Sequence, residues 1–129
     1  MKIVSLTRNG QFQRLYREGN SVVTPTMVLY ASKNRLGVTR LGITAGKKVG
    51  GAVQRNRAKR RIRELFRNAM PHCKQGYDVC IVARTYTVEA PAAKLQRDFQ
   101  TSIEKLGMWN HENIVDSSDS ALPNTDFSA

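Results

Sequence analysis

Cysteine, acidic residues and long apolar runs are all scarce in this chain of 129 residues. Its two cysteines, Cys73 and Cys80, are too few for the disulfide framework of a small secreted domain. Cys80 lies in the apolar run from Val79 to Val82, which predicts a packed core thiol. No apolar run approaches the ~20 residues of a membrane span, and the first six residues lack the apolar segment of a signal peptide. These absences favour a protein of the reducing cytoplasm.

The scarcity of acidic residues leaves a large positive charge. The chain has 21 Lys and Arg against 10 Asp and Glu, which gives a formal net charge of +11. This charge exceeds the ~2–8 that is typical of a small soluble domain. The imbalance indicates a polyanionic partner, either nucleic acid or an anionic membrane surface.

The positive charge is confined to one part of the chain. Every Lys and Arg lies at or before Lys105, and the residues after it carry four acids: Glu112, Asp116, Asp119 and Asp126. The tail is also polar and poor in apolar residues, which is typical of disorder. We therefore predict one domain over residues 1–108 and an acidic, disordered tail over residues 109–129.

The spacing of apolar residues predicts an α+β domain in which helices cover a small mixed sheet. The predicted order of elements is α-β-β-β-α-β-α. Helices are predicted over residues 9–17, 52–69 and 90–108. Strands are predicted over residues 21–24, 26–32, 36–44 and 77–83.

The central helix carries an unusual concentration of cations. Seven basic residues between Arg55 and Arg67 have one acid among them, Glu64. On a helical wheel the apolar residues form one narrow face, consisting of Ala58, Ile62, Leu65, Phe66 and Ala69. Arg55 falls near that apolar face, and the other cations spread over the rest of the helix. Like charges at this spacing weaken an isolated helix, so the pattern favours a polyanion that neutralises them.

The same segment carries a family likeness. It contains Lys47-Lys48-Val49-Gly50, then Ala52-Val53, Arg55-Asn56-Arg57 and Arg63-Glu64-Leu65-Phe66-Arg67. These motifs closely resemble the "RNR" signature of the protein subunit of bacterial ribonuclease P. Residues 12–19 resemble the first helix of that family, residues 28–30 its aromatic strand and residues 79–84 its last strand. The likeness covers residues 6–106, with departures at Ala45-Gly46 and at Thr85-Tyr86.

The resemblance implies a cofactor protein rather than a catalyst. In this family the catalytic RNA cuts precursor tRNA at the mature 5′ end and uses Mg²⁺ to activate water. The resemblance therefore implies no catalytic residue and no metal site in the protein, and neither His72 nor His111 has a partner at motif spacing. It implies two partners, the catalytic RNA and precursor tRNA, with no membrane and no obligate protein partner. It also implies a left-handed βαβ crossover around the central helix.

The resemblance further implies two binding surfaces. The catalytic RNA is expected to contact Lys47, Lys48, Arg57, Lys59, Arg60, Arg61, Arg63 and Arg67, with an energy that depends on salt. The single-stranded 5′ leader of precursor tRNA is expected to contact Phe12, Tyr16, Tyr30, Arg55, Asn56 and Arg84, with bases stacked on the aromatic rings. Core packing is the competing interpretation for the three aromatic residues, and for Phe12 above all.

Three other functions fit part of the pattern. A structural or ribosomal RNA-binding protein would explain the charge but not aromatic residues placed for a single strand. A DNA-binding protein would need a second helix at helix-turn-helix distance, whereas here a glycine-rich loop precedes the basic helix. A membrane-surface protein would need a wider apolar face on the central helix.

Overall fold

Five strands and three α-helices form the part of the chain, residues 4–110, that this computed structural model describes. The strands are β1 (Val4–Ser5), β2 (Asn20–Val23), β3 (Met27–Lys33), β4 (Arg40–Thr44) and β5 (Tyr77–Ala83). The helices are α1 (Asn9–Glu18), α2 (Ala52–Ala69) and α3 (Ala92–Lys105). One sheet joins the strands in the order β1-β4-β5-β3-β2. Strands β4 and β5 run parallel, with α2 between them in sequence, so the βαβ unit implied by the resemblance is present.

One face of the sheet packs against α2 and α3 to form the main core. Alternate residues of β3 and β5 point into it, because side chains alternate between the two faces of a strand. The residues of β3 and β5 in this core are Met27, Leu29, Ala31, Tyr77, Val79, Ile81 and Ala83, and β4 adds Leu41. Helix α2 contributes Ala58, Ile62 and Phe66, which are fully buried. The apolar stripe predicted for the central helix is confirmed, although Leu65 and Ala69 at its edge stay half-exposed.

Within residues 4–110, α1 is the helix that packs against the opposite face of the sheet. Leu6, Leu15 and Cys80 are buried there, and Val82 packs at the edge of this cluster. The prediction of a packed thiol at Cys80 is confirmed, and burial raises the pKa of this thiol. Because a helix of 10 residues is narrower than a five-stranded sheet, the described residues cover only part of this face.

The strands differ from the prediction mainly in one additional strand, β1, and in the later start of β4. Strand β1 was not predicted, because a strand of two residues shows no periodicity and forms only by parallel pairing with β4. Strand β4 begins at Arg40 instead of residue 36. The Asn34 side chain holds a turn before β4 by accepting from the Leu36 N–H and donating to the Val38 carbonyl.

The last helix is also shorter than predicted, and the packed chain continues beyond it. Helix α3 begins after Pro91 and ends at Lys105, before Gly107 adopts a φ of 76°. Trp109 is buried and stacks on the His72 ring with centroids 5.6 Å apart. Packing therefore extends past the predicted domain boundary at residue 108. The four acids of the predicted tail lie outside the described residues.

A partly buried ion pair holds β4 to β5 at one end of the sheet. Arg40 donates to both carboxylate oxygens of Asp78, at 2.8 and 2.7 Å, and Asn34 donates to the same carboxylate at 2.8 Å. Burial acts to raise the pKa of Asp78, but the hydrogen bonds from Arg40 and Asn34 outweigh it and lower the pKa. This network lies at the end of the sheet opposite to the C-terminal end of β5.

Candidate nucleic-acid interface

The outer side of α2 presents cations to solvent. We call the predicted set Arg57, Lys59, Arg60, Arg61, Arg63 and Arg67 the cationic face of α2. Arg57, Arg60, Arg63 and Arg67 are exposed, and Lys59 and Arg61 are half-buried. Arg67 pairs with Glu64 at 3.0 Å, but both side chains are more than half exposed, so this pair contributes little to stability. Within residues 4–110, no other member of the cationic face forms an ion pair, and Glu64 is the one acid of α2.

Arg61 differs from the other members of the cationic face because its guanidinium is used within the fold. It donates to the carbonyls of Thr87 and Val88, each at 2.9 Å, and to the carbonyl of Ala90 at 2.7 Å. Burial, and secondly the charge of Arg57, lower the pKa of Arg61. Arg57 also donates to the Val88 carbonyl, at 3.1 Å. These two arginines therefore fasten α2 to loop 84–91, the connection between β5 and α3.

The loop lysines lie beside the start of α2. Lys47 and Lys48 are exposed in a one-turn 3₁₀ helix, Lys47–Val49. The Gln54 side chain accepts from the Gly51 N–H at 3.1 Å and fixes the entry to α2. Gly50 has a φ of 141°, and a Cβ there would crowd Gln54, so this position needs glycine. The turn therefore holds the two lysines in fixed places next to the cationic face.

The predicted aromatic residues come together between α1 and the sheet. We call Phe12, Tyr16 and Tyr30 the aromatic cleft. The rings of Tyr16 and Tyr30 meet edge to face, with centroids 4.9 Å apart. Phe12 lies directly over Gly42 of β4, and a methyl group at Gly42 would overlap its ring. Phe12 is therefore held mainly by packing, as the competing interpretation had it.

Tyr16 is anchored by its hydroxyl and remains partly exposed. Its hydroxyl is hydrogen-bonded to the Cys80 thiol at 3.5 Å. Burial, and secondly this bond, raise the pKa of Tyr16 to about 12, so the side chain is neutral at physiological pH. The residue is nevertheless 43% exposed. A neutral, partly exposed aromatic side chain with a fixed hydroxyl is suited to stacking with a nucleobase.

The polar residues predicted for the leader make no hydrogen bond to the three aromatic residues within residues 4–110. Arg84 follows the end of β5 and donates to the Thr24 carbonyl at 2.9 Å. Arg55 is half-buried, as its position near the apolar stripe predicts, and Asn56 is exposed. Phe12 and Tyr30 pack against the same buried cluster, and Tyr16 contacts Tyr30, so the aromatic cleft forms without these polar residues.

One exposed aromatic residue was not predicted as a site residue. Tyr86 lies in the 3₁₀ turn Thr85–Thr87, directly after Arg84, and is 43% exposed. It stands at a departure from the family likeness, which is why the resemblance did not include it. The only signal for Tyr86 in the sequence is an aromatic residue two positions after a cation, in the short connection between β5 and α3.

The described residues contain neither a membrane-spanning helix nor a cluster of metal ligands. Within residues 4–110, no helix is both long enough and apolar enough to cross a bilayer. In the same part of the chain, no three His, Cys, Asp or Glu side chains lie close enough together to share a metal ion.

Comparison with known proteins identifies similar sequences and structures. The family model described as Ribonuclease P matches residues 1–107. The ribonuclease P protein component of Natranaerobius thermophilus is 44% identical over 114 residues, which cover 88% of this chain and 98% of that protein. The solved RNase P protein of Staphylococcus aureus matches with a TM-score of 0.75 and 32% identity, over 84% of this chain and all of that one. The RNase P protein of Thermotoga maritima matches with a TM-score of 0.69 and 25% identity, over 81% of this chain and 97% of that one.

Proposed function

This chain belongs to the ribonuclease P protein family, and we propose that it is the RNA-binding cofactor of a bacterial ribonuclease P ribonucleoprotein. In this proposal the catalytic RNA of the particle cleaves precursor tRNA to make the mature 5′ end, in the cytoplasm. The protein binds that RNA through one surface and the 5′ leader of the substrate through another. It supplies affinity and positioning, and no protein side chain takes part in the chemical step.

The observation that carries the proposal is that the buried apolar residues and the exposed arginines of α2 lie on different sides of the helix. The helix packs into the core through Ala58, Ile62 and Phe66, which are fully buried. Arg60 and Arg63 are exposed and contribute nothing to that core. Such a surface binds phosphates mainly by releasing the counterions condensed on RNA, so binding weakens as salt rises. Lys47 and Lys48 extend the same surface towards the loop before α2.

The aromatic cleft supports the second part of the proposal. Tyr16 and Tyr30 offer ring surface at the edge of a sheet face that α1 leaves open. Stacking of one base on an aromatic side chain contributes about 1–3 kcal/mol and tolerates any base. That tolerance suits a leader, whose sequence differs from one precursor tRNA to the next. Arg55, Asn56 and Arg84 would then contact leader phosphates beyond the rings.

The catalytic Mg²⁺ is proposed to belong to the RNA. One candidate surface is lined by cations and the other by aromatic rings with neighbouring arginines, whereas a divalent cation favours carboxylate and carbonyl oxygens. The described residues at these surfaces therefore do not fit a Mg²⁺ site. We assign the protein no step that passes through the metal.

A structural RNA-binding role without processing is the competing function. The cationic face of α2 would serve either role, because phosphate contacts carry no information on what the RNA does. The aromatic cleft favours processing, since stacking side chains recognise unpaired bases.

The deciding experiment is reconstitution with a bacterial ribonuclease P RNA. Cleavage of a precursor tRNA at the mature 5′ end is followed at low Mg²⁺ and near-physiological salt, with and without the protein. The protein should accelerate cleavage strongly and show no cleavage by itself. Tight RNA binding without acceleration would refute the proposal and favour the structural role.

Two variants test the two binding surfaces separately in the same assay. Arg63→Met should weaken binding of the catalytic RNA, with little change in the preference for a substrate that has a leader. Tyr30→Ala should reduce that preference while the catalytic RNA still binds. Leu36→Ala, in the exposed turn before β4, is the matched control and should change neither.

A further inference from the structure

Tyr86 is an exposed aromatic residue on a rigid part of the chain. The residue is 43% exposed, whereas Phe66, Phe99, Tyr77 and Trp109 are buried in the core. Tyr86 belongs to neither of the two buried apolar clusters. An aromatic residue that is left outside the core has its ring surface available for a ligand.

The backbone on both sides of Tyr86 is held by hydrogen bonds. The Thr87 side chain is fully buried, donates to the Thr26 carbonyl and accepts from the Arg84 N–H. The Tyr86 carbonyl accepts from the Ala90 N–H at 2.9 Å. Arg61 donates to the carbonyls of Thr87 and Ala90, which follow Tyr86. A ring on a backbone held in this way loses little conformational freedom when it binds a ligand.

Tyr86 also lies where the two candidate surfaces meet. The Thr85 hydroxyl donates to the Lys48 carbonyl at 3.3 Å, so loop 84–91 touches the turn that carries the two lysines. Arg84, which is predicted to contact the leader, lies two residues before Tyr86 and donates to the Thr24 carbonyl at 2.9 Å. Glu89 is the only acid of this loop.

We propose that Tyr86 is an additional stacking position, whose ring binds an unpaired base of RNA at the junction of the two surfaces. The neighbouring cations hold the adjoining phosphates, and the ring covers the base. This inference rests on the proposed function for the identity of the RNA. The base belongs either to the leader of precursor tRNA or to an unpaired segment of the catalytic RNA, since both offer the same chemistry.

The test compares Tyr86→Ala with Tyr86→Phe and Tyr86→Trp. Three affinities are measured for each variant: catalytic RNA for the protein, precursor tRNA with a long leader for the holoenzyme, and leaderless tRNA for the holoenzyme. Tyr86→Ala should weaken one of the first two about 5- to 160-fold, the effect of losing one stacked base. Tyr86→Phe and Tyr86→Trp should bind like the unmodified protein, because each keeps an aromatic face. Leu36→Ala removes a similarly exposed apolar side chain at the far end of the sheet and should change nothing.

The pattern of losses identifies the source of the base. A loss confined to the substrate with a leader assigns the base to the leader, and a loss confined to the catalytic RNA assigns it there. Unchanged affinities in Tyr86→Ala, with an unchanged melting temperature, overturn the proposal. A loss in Tyr86→Phe equal to that in Tyr86→Ala also overturns it, because the hydroxyl and not the ring would then make the contact. If the proposed function itself is wrong, the unmodified protein will not accelerate cleavage. That result differs from an unchanged affinity in Tyr86→Ala, so the two failures can be told apart.

Discussion

Arg60 and Arg61 are adjacent in sequence, but the structure gives them different roles. Replacing Arg61 with Met removes three hydrogen bonds from a guanidinium to the carbonyls of Thr87, Val88 and Ala90. A hydrogen bond contributes about 0.5–1.5 kcal/mol net, and more when one partner is charged. At a half-buried site, water hydrogen-bonds to the freed carbonyls and offsets part of this loss. Removing the repulsion between Arg61 and Arg57 stabilises the variant by about 0.2–0.5 kcal/mol. We therefore expect Arg61→Met to lower the free energy of unfolding by about 2–3 kcal/mol.

Arg60→Met is the matched control for this prediction. It removes the same charge from the same helix, and Met and Arg have similar helix propensities. Arg60 is exposed and makes no hydrogen bond or ion pair with any residue between 4 and 110. The free energy of unfolding of the Arg60→Met protein should stay within about 0.5 kcal/mol of that of the unmodified protein. The dependence of log Kd for the catalytic RNA on log salt should instead decrease by about one unit.

Both effects are measured on the same two proteins. Urea unfolding followed by circular dichroism gives the free energies, and RNA binding over a salt series gives the slopes. For a domain of this size, 2–3 kcal/mol corresponds to a fall in melting temperature of about 8–12 °C. If Arg61→Met unfolds with the same free energy as Arg60→Met, the carbonyl contacts do not stabilise the fold and the reasoning is refuted.

Three further predictions concern the sheet and the aromatic cleft. Because its pKa is lowered in the fold, Asp78 stabilises the protein above its unfolded pKa of about 4, and this stability is lost as pH falls through the folded pKa. The stability difference between the unmodified protein and Asp78→Asn, measured by urea unfolding, should therefore shrink below about pH 4; a constant difference would contradict the ion pair with Arg40. Gly42→Ala should lower the free energy of unfolding by about 1–3 kcal/mol in the same assay, because the new methyl group displaces the Phe12 ring; an unchanged value would place Phe12 elsewhere. Tyr16 should ionise near pH 12 in an ultraviolet titration, and the stability from its raised pKa is present below about pH 10 and lost between there and about pH 12; Tyr16→Phe should lack that transition.

Much of the fold follows from local sequence signals. The bounds of α2 agree with the prediction, because its apolar period is regular and Pro71 prevents the helix from continuing. Strand β5 also agrees, since a continuous apolar run of this length is typical of a buried central strand. The boundaries that differ, at β4 and α3, depend on a side-chain hydrogen bond in a turn and on a glycine with positive φ.

The sequence by itself determined the net charge, the cationic helix and the family, because these depend on residue identity and spacing along the chain. Only the tertiary structure decided which arginines are free for RNA, since Arg60 and Arg61 differ in what lies opposite them and not in any local pattern. It also decided that Phe12 packs over Gly42 while Tyr16 stays partly exposed. The position of Tyr86 beside the lysine turn depends on the contact between Thr85 and Lys48, which are 37 residues apart in sequence. Such contacts form only when the sheet brings distant segments together, and periodicity along the chain carries no record of them.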